Sequence, residues 1–159
     1  MAEIIPFIQL EYKIDFLRKR KTDLKVIATN GCFDIVHIGH IRYLQKAKTF
    51  GDILVVGVNS DDSVKRLKGE SRPINNESVR AEFLAALECI DIVSIFDEDT
   101  ASSFLKKVKP SIYIKGGDYS LENLPERETI EALNISLITI PMVTGFSTTK
   151  IIEQIKSQS

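Results

Sequence analysis

Residues 25–50 read KVIATNGCFDIVHIGHIRYLQKAKTF. Val26 to Thr29 form a short, branched, near-continuously apolar run, which is what a parallel strand covered on both faces looks like. From Gly39 to Phe50 the apolar residues Ile41, Leu44 and Ala47 recur at helical spacing. A buried strand, a turn containing glycine and an amphipathic helix follow one another within 26 residues. The rest of the chain repeats that order. Further apolar runs lie at 53–58, 90–95, 112–114 and 136–140. Between them, Asn76 is placed to cap a helix whose apolar positions Val79, Phe83, Leu84 and Leu87 share a face. Thr100 is placed to cap a helix carrying Phe104, Leu105 and Val108, and Ser147 one carrying Ile151, Ile152 and Ile155. Strand and helix in steady alternation predict an α/β fold: a single Rossmann-like domain with a parallel sheet of about five strands flanked by helices.

Composition agrees with one globular unit. The chain has 159 residues, 43% hydrophobic and 27% charged, with a formal net charge of −1. That apolar fraction is too high for a disordered chain, and the even charge balance argues against a nucleic-acid partner. No apolar run approaches the roughly 20 residues of a membrane span, and the first residues do not resemble a secretory signal, so a cytoplasmic location is expected. Two cysteines and two histidines are too few for a disulfide framework or a Cys/His zinc centre, so no protein-held metal is expected. Residues 1–23, which carry the basic run Arg18 to Lys21, are expected to form a helical extension to a domain at 24–159.

The most informative chemistry is in GCFDIVHIGH, Gly31 to His40, which holds both histidines three residues apart. A helix opening at Gly39 aims free backbone N–H groups and the positive end of its dipole at an incoming anion. Imidazoles of His37 and His40 beside it can donate to phosphate oxygens, and glycine lets a ligand approach the backbone closely. In an open parallel sheet the ligand crevice lies beyond the carboxyl ends of the strands, where strand order reverses. Thr29-Asn30-Gly31, Lys115-Gly116-Gly117-Asp118 and Thr144-Gly145-Phe146-Ser147 all fall at such ends.

GCFDIVHIGH resembles the nucleotide-binding signature of the cytidylyltransferase-like nucleotidyltransferases. GDILVVGVNSDDSVKRLKGESRP (51–73), IKGGDY (114–119) and TGFSTTKII (144–152) resemble further family segments, in family order. The resemblance runs from about Lys25 to the C-terminus and implies nucleotidyl transfer, in which a phosphate oxygen of an acceptor attacks the α-phosphorus of a nucleoside triphosphate. It implies that His37 and His40 contact the triphosphate, with His40 stabilising charge at the α-phosphate, and that Lys65 or Lys68 covers the departing pyrophosphate. It puts Asp34 near the same pocket, holding either metal or backbone, with main-chain contacts from Cys32 and Phe33 and with Gly39 against the nucleotide. Arg80 matches an arginine the family places near the active site, and Arg72 is a further candidate. Lys115, Gly116 and Asp118 are expected to contact nucleotide or acceptor, and Ser147, Thr148 and Thr149 the β- or γ-phosphate.

Within the family, Lys-Gly-Gly-Asp-Tyr and Ser-Arg-Pro-Ile-Asn look most like adenylyltransferases acting on a heptose 1-phosphate. Lys150 instead looks like the glycerol-3-phosphate cytidylyltransferases. Small-molecule substrates, magnesium carried mainly by the triphosphate, and a homodimer are implied. A nucleotide-binding domain without turnover is the non-enzymatic alternative.

Overall fold

The structure, a computed structural model, describes residues 1–117, 119–141 and 145–158. In chain order the strands are β1 (Glu3–Ile4), β2 (Val26–Gly31), β3 (Ile53–Asn59), β4 (Ile92–Phe96), β5 (Ile112–Gly116) and β6 (Ser136–Ile140). The helices are α1 (Leu10–Arg20), α2 (Ile38–Lys48), α3 (Asp61–Lys68), α4 (Glu77–Ala85), α5 (Ser102–Val108), α6 (Arg127–Ala132) and α7 (Thr148–Ser157). The sheet order is β1-β4-β3-β2-β5-β6, and every neighbouring pair is parallel.

Continuous apolarity in the strands has a simple cause. Val26 and Ala28 of β2 pack into a core with α1 and α5, through Leu10, Ile14, Phe104 and Leu105. Ile27, between them, packs into a second core on the other face with Leu44 of α2 and Leu84 of α4. Each face needs apolar residues, so the strand carries them at every position. Burying each such side chain contributes roughly 1.5–3 kcal/mol.

Strand order runs outward in both directions from β2, so the switch point lies between β2 and β5. β2 pairs with β3 over six residue pairs, Val26↔Ile53 to Gly31↔Val58, but with β5 only through Ile27↔Ile112 and Ala28↔Tyr113. Beyond Ala28 the two strands part. The Tyr43 hydroxyl of α2 sits at the fork, donating to the Ile114 carbonyl at 2.9 Å and sharing a 2.6 Å hydrogen bond with Thr29 Oγ1.

Three expectations are corrected. The sheet has six strands among the described residues, because Glu3 and Ile4 pair with Ile92 and Val93 at one edge. Two exposed residues are too short a run to show a period. Thr100 does not cap α5, whose N-cap is Ala101 without a side-chain bond. On α4 the buried face is Arg80, Ala81, Leu84 and Ala85, while Val79 and Phe83 stand exposed. Asn76 and Ser147 do cap their helices, accepting from Val79 N at 3.0 Å and Lys150 N at 3.2 Å.

Candidate active site

His37 is the N-cap of α2, in extended conformation and with no side-chain capping bond, so the first turn of the helix keeps its free N–H groups. His40 lies three residues on, on the same face. The two rings stack with centroids 3.8 Å apart and an interplanar angle of 22°. Phe33, held in the left-handed region at φ 48°, meets the His40 ring edge-on at 5.3 Å. Nδ1 of both imidazoles is buried without a hydrogen-bond partner. Burial pulls His37 below the usual imidazole range; burial and then the neighbouring His37 bring His40 down to about 4. Two neutral rings with unpartnered nitrogens therefore face the helix N-terminus at pH 7. A negatively charged ligand there would relieve both conditions at once.

Asp34 is 2% exposed and holds backbone. Its Oδ1 accepts from Ile74 N at 2.8 Å and Asn75 N at 3.0 Å, and its Oδ2 from Arg72 Nε at 2.6 Å. Burial raises its pKa, but the Asn75 and Ile74 amides and the Arg72 guanidinium outweigh this and hold the carboxyl below its ordinary value. The carboxylate thereby fastens residues 72–75 to the signature motif.

Arg80 is 0% exposed. Its guanidinium donates to the Cys32 carbonyl at 2.6 Å, the Asn75 carbonyl at 3.0 Å and Asp61 Oδ1 at 2.8 Å. All three nitrogens of this arginine, expected at the nucleotide, are engaged by protein. It ties the motif, the 72–75 loop and the start of α3 together from below. Cys32 is half-buried; burial pushes its thiol up, against the charges of Lys68, Arg80 and Arg72. Those charges converge on the motif.

Lys65 pairs with Asp62 at 3.3 Å on α3 and is half-exposed. Lys68 is exposed in the last turn of α3, before Gly69, whose φ of 97° turns the chain away. Of the two, Lys68 is the one whose charge reaches Cys32.

At the fork between β2 and β5, Lys115 Nζ donates to Asn30 Oδ1 at 3.3 Å, which also accepts from the Tyr113 hydroxyl at 2.5 Å. The ammonium lies 5.5 Å from the ring centroids of both Tyr113 and Tyr119. Gly116 ends β5 beside it, and Asp118 lies outside the described residues. At the start of α7, Thr148 Oγ1 donates to the Ile35 carbonyl at 3.2 Å, fastening that helix to the motif loop. Ser147 is its cap, and Thr149 and Lys150 are exposed in its first turn.

Tyr43 and Tyr113 carry contacts that nothing in the sequence singles out, and Asn30 is marked there only as part of the cluster closing β2. Asn30 has the clearest signal in hindsight, a polar residue closing an apolar strand. Among the described residues no group of three or more His, Cys, Asp or Glu side chains is arranged to hold a metal ion. No helix of the described chain is long and apolar enough to cross a membrane.

Curated relatives named bifunctional protein HldE match closely. That of Citrifermentans bemidjiense is 53% identical over 140 residues, covering 88% of this chain and 29% of the relative. That of Campylobacter jejuni is 52% identical over 139 residues, covering 87% and 29%. The chain thus spans under a third of the length of these relatives. A lipopolysaccharide core biosynthesis protein from Thermoplasma volcanium has a similar solved structure, with TM-score 0.61 and 32% identity, over 76% of this chain and 97% of that one. A pantoate-beta-alanine ligase from Francisella tularensis shares the fold at 16% identity and TM-score 0.62, over 98% of this chain and 77% of that one. Residues 28–154, from strand β2 into helix α7, match the cytidylyltransferase-like family. With the stacked histidines and the β2–β5 crevice inside that span, the chain belongs to the cytidylyltransferase-like family and is a nucleotidyltransferase.

Proposed function

We propose that this domain transfers AMP from ATP to a heptose 1-phosphate, giving ADP-heptose and pyrophosphate. The carrying observation is the His37–His40 stack at the N-terminus of α2, with both Nδ1 atoms buried and unpartnered. The HldE relatives and the heptose-like segments at 71–75 and 115–119 support the choice of acceptor. In the reaction an acceptor phosphate oxygen forms a bond to the α-phosphorus, the bond to the α–β bridging oxygen breaks, and that oxygen leaves with pyrophosphate. No covalent enzyme intermediate is needed, so positioning and charge stabilisation carry the catalysis.

His37, His40 and the first amides of α2 would donate to the α- and β-phosphates, and His40 would strengthen its bond as charge grows. Lys68 and Arg72 flank the motif, where Lys68 can follow the departing pyrophosphate as a flexible point charge. The hydroxyls and free amides at Ser147, Thr148 and Thr149 suit the outer phosphates. Magnesium neutralises a triphosphate when bound. Asp34 is already committed to Arg72 and two amides and no carboxylate cage is arranged among the described residues, so the ion would travel with the nucleotide.

Pyrophosphate release by the purified protein with magnesium tests the reading. ATP with D-glycero-β-D-manno-heptose 1-phosphate should turn over. The exposed Lys150 on α7 favours a second reading, CTP with glycerol 3-phosphate, and turnover of that pair alone would replace the first. ATP binding with silence in both reactions would indicate a binding domain. A homodimer, working in the cytoplasm where ATP is made, completes the proposal; light scattering tests the dimer.

A further inference from the structure

Lys115 is a half-buried cation without a counter-ion among the described residues. Among the described residues no carboxylate pairs with it; its hydrogen bond is the 3.3 Å one to Asn30 Oδ1, an acceptor the Tyr113 hydroxyl already holds at 2.5 Å. Two tyrosine rings flank the ammonium at 5.5 Å and fix its direction without neutralising it. An ammonium taken from water and left unneutralised is costly, and a charged ligand is the usual remedy. The position matters too. Lys115 stands on the β5 side of the fork, across from the α2 N-terminus that follows β2.

The reaction needs two anions in one crevice. His37, His40 and the free amides of α2 suit the triphosphate and Lys68 the departing pyrophosphate, and Lys115 puts a cation on the β5 side of the crevice for the phosphate monoester of the acceptor. We propose that Lys115 binds the phosphate of the acceptor substrate and sets it for attack. This rests on the nucleotidyl-transfer reading and adds the residue that selects a phosphomonoester acceptor.

Glu126 has a supporting position. It is 3% exposed, its Oε1 accepts from Ala101 N at 2.8 Å, and its Oε2 is buried without a partner. Burial disfavours the charged form of Lys115, and the Glu126 carboxylate is the largest opposing influence, followed by Cys32. With Asn30 from β2, Tyr113 from β5 and Tyr119 beyond it, these are the groups around the ammonium among the described residues. Glu126 thus keeps Lys115 charged from a distance without occupying it.

Titration calorimetry with magnesium and the uncleavable analogue α,β-methylene-ATP tests this, with heptose 1-phosphate and glycerol 3-phosphate as probes. The unmodified protein should bind one probe; K115M should bind it at least 10-fold more weakly, with analogue affinity within twofold, and K115R should recover part of the loss. K115Q, which keeps a polar head for Asn30, gives the same comparison should K115M not fold. E126Q should move the fall-off of probe affinity to lower pH, which a purely structural role would not do. Equal probe binding by K115M, a loss confined to the ATP analogue, or no binding of either phosphate by the unmodified protein would each overturn the assignment. Probe binding that depends on Lys115 without any pyrophosphate release would leave it standing and sink the proposed reaction instead.

Discussion

Gly39 leaves the His37 ring its place: a Cβ built on Gly39 would stand 3.0 Å from both Cε1 and Nδ1 of His37. That is tighter than ordinary van der Waals contact, so the stacked pair depends on the missing methyl group. Alanine favours helix over glycine by up to ~1 kcal/mol. Stability and activity should therefore move in opposite directions in G39A. The thermal midpoint should hold or rise slightly while kcat/KM falls about 10-fold, as the ring is pushed out of register. Unchanged activity in a folded G39A would mean that the ring position is not critical.

His40→Ala removes the imidazole assigned to the α-phosphate. The expected loss is at least 10²-fold in kcat, about 2.7 kcal/mol of transition-state stabilisation, with little change in the KM for ATP. Steady-state pyrophosphate release measures both. A near-normal rate would remove His40 from the mechanism.

The same ring leaves a signature in stability against pH. His40 titrates at about 4 in the fold against 6.5 unfolded, because burial and then His37 disfavour its charged form. Between those values the unfolded chain binds more protons, so stability falls as pH drops from 6.5 to 4 and is insensitive to His40 above 6.5. Discounted for the open part of the ring, the loss should be about 2 kcal/mol. His37, also lowered by burial, contributes in the same direction. Asp34 loses its contribution only below its ordinary carboxylate range, so it does not confuse this window. Urea unfolding at pH 7.5, 5.5 and 4.5 should show the slope, and H40A should flatten most of it.

Local chemistry made part of this legible and long-range contact hid the rest. Strands β2 to β5 announce themselves because each is buried on two faces, the edge strand β6 by the apolar Leu137, Ile138 and Ile140, and the signature because both histidines fall in ten residues. β1 was invisible, since a two-residue edge strand has no period. The protein partners of Arg80 and Asp34 are not legible in the sequence for one reason. Their partners, Cys32 for the first and Ile74 and Asn75 for the second, lie about 40 or more positions away. Arg80 also sits on a helix where Val79 and Phe83 look like the buried side. The buried side is instead that of Arg80, Ala81, Leu84 and Ala85, where the arginine's fork can satisfy two carbonyls and a carboxylate, which no apolar residue can do.

Arg80 should accordingly be worth more to folding than to binding. R80A strands Asp61 and two part-buried carbonyls and should cost about 3 kcal/mol in urea unfolding. R80K keeps the charge but loses the fork, and should still cost about 2 kcal/mol. Should R80A keep its stability within 1 kcal/mol and instead lose ATP affinity, Arg80 would be a nucleotide contact rather than a brace of the fold.

Asp34→Asn separates the two roles the motif aspartate could have. An amide is nearly isosteric, but its NH₂ end would face donors that the carboxylate now accepts from, Arg72 Nε on one side and the Ile74 and Asn75 amides on the other. One of those contacts becomes donor against donor, and the 72–75 loop should loosen. Hydrogen exchange at the Ile74 and Asn75 amides should speed up at least 10-fold, with kcat/KM down by a similar factor because Arg72 is no longer held beside the motif. The magnesium concentration for half-maximal rate should stay where it is, since the ion travels with the nucleotide. A metal-holding Asp34 would reverse this pattern: exchange at the two amides would be unaltered, and the magnesium requirement would rise steeply.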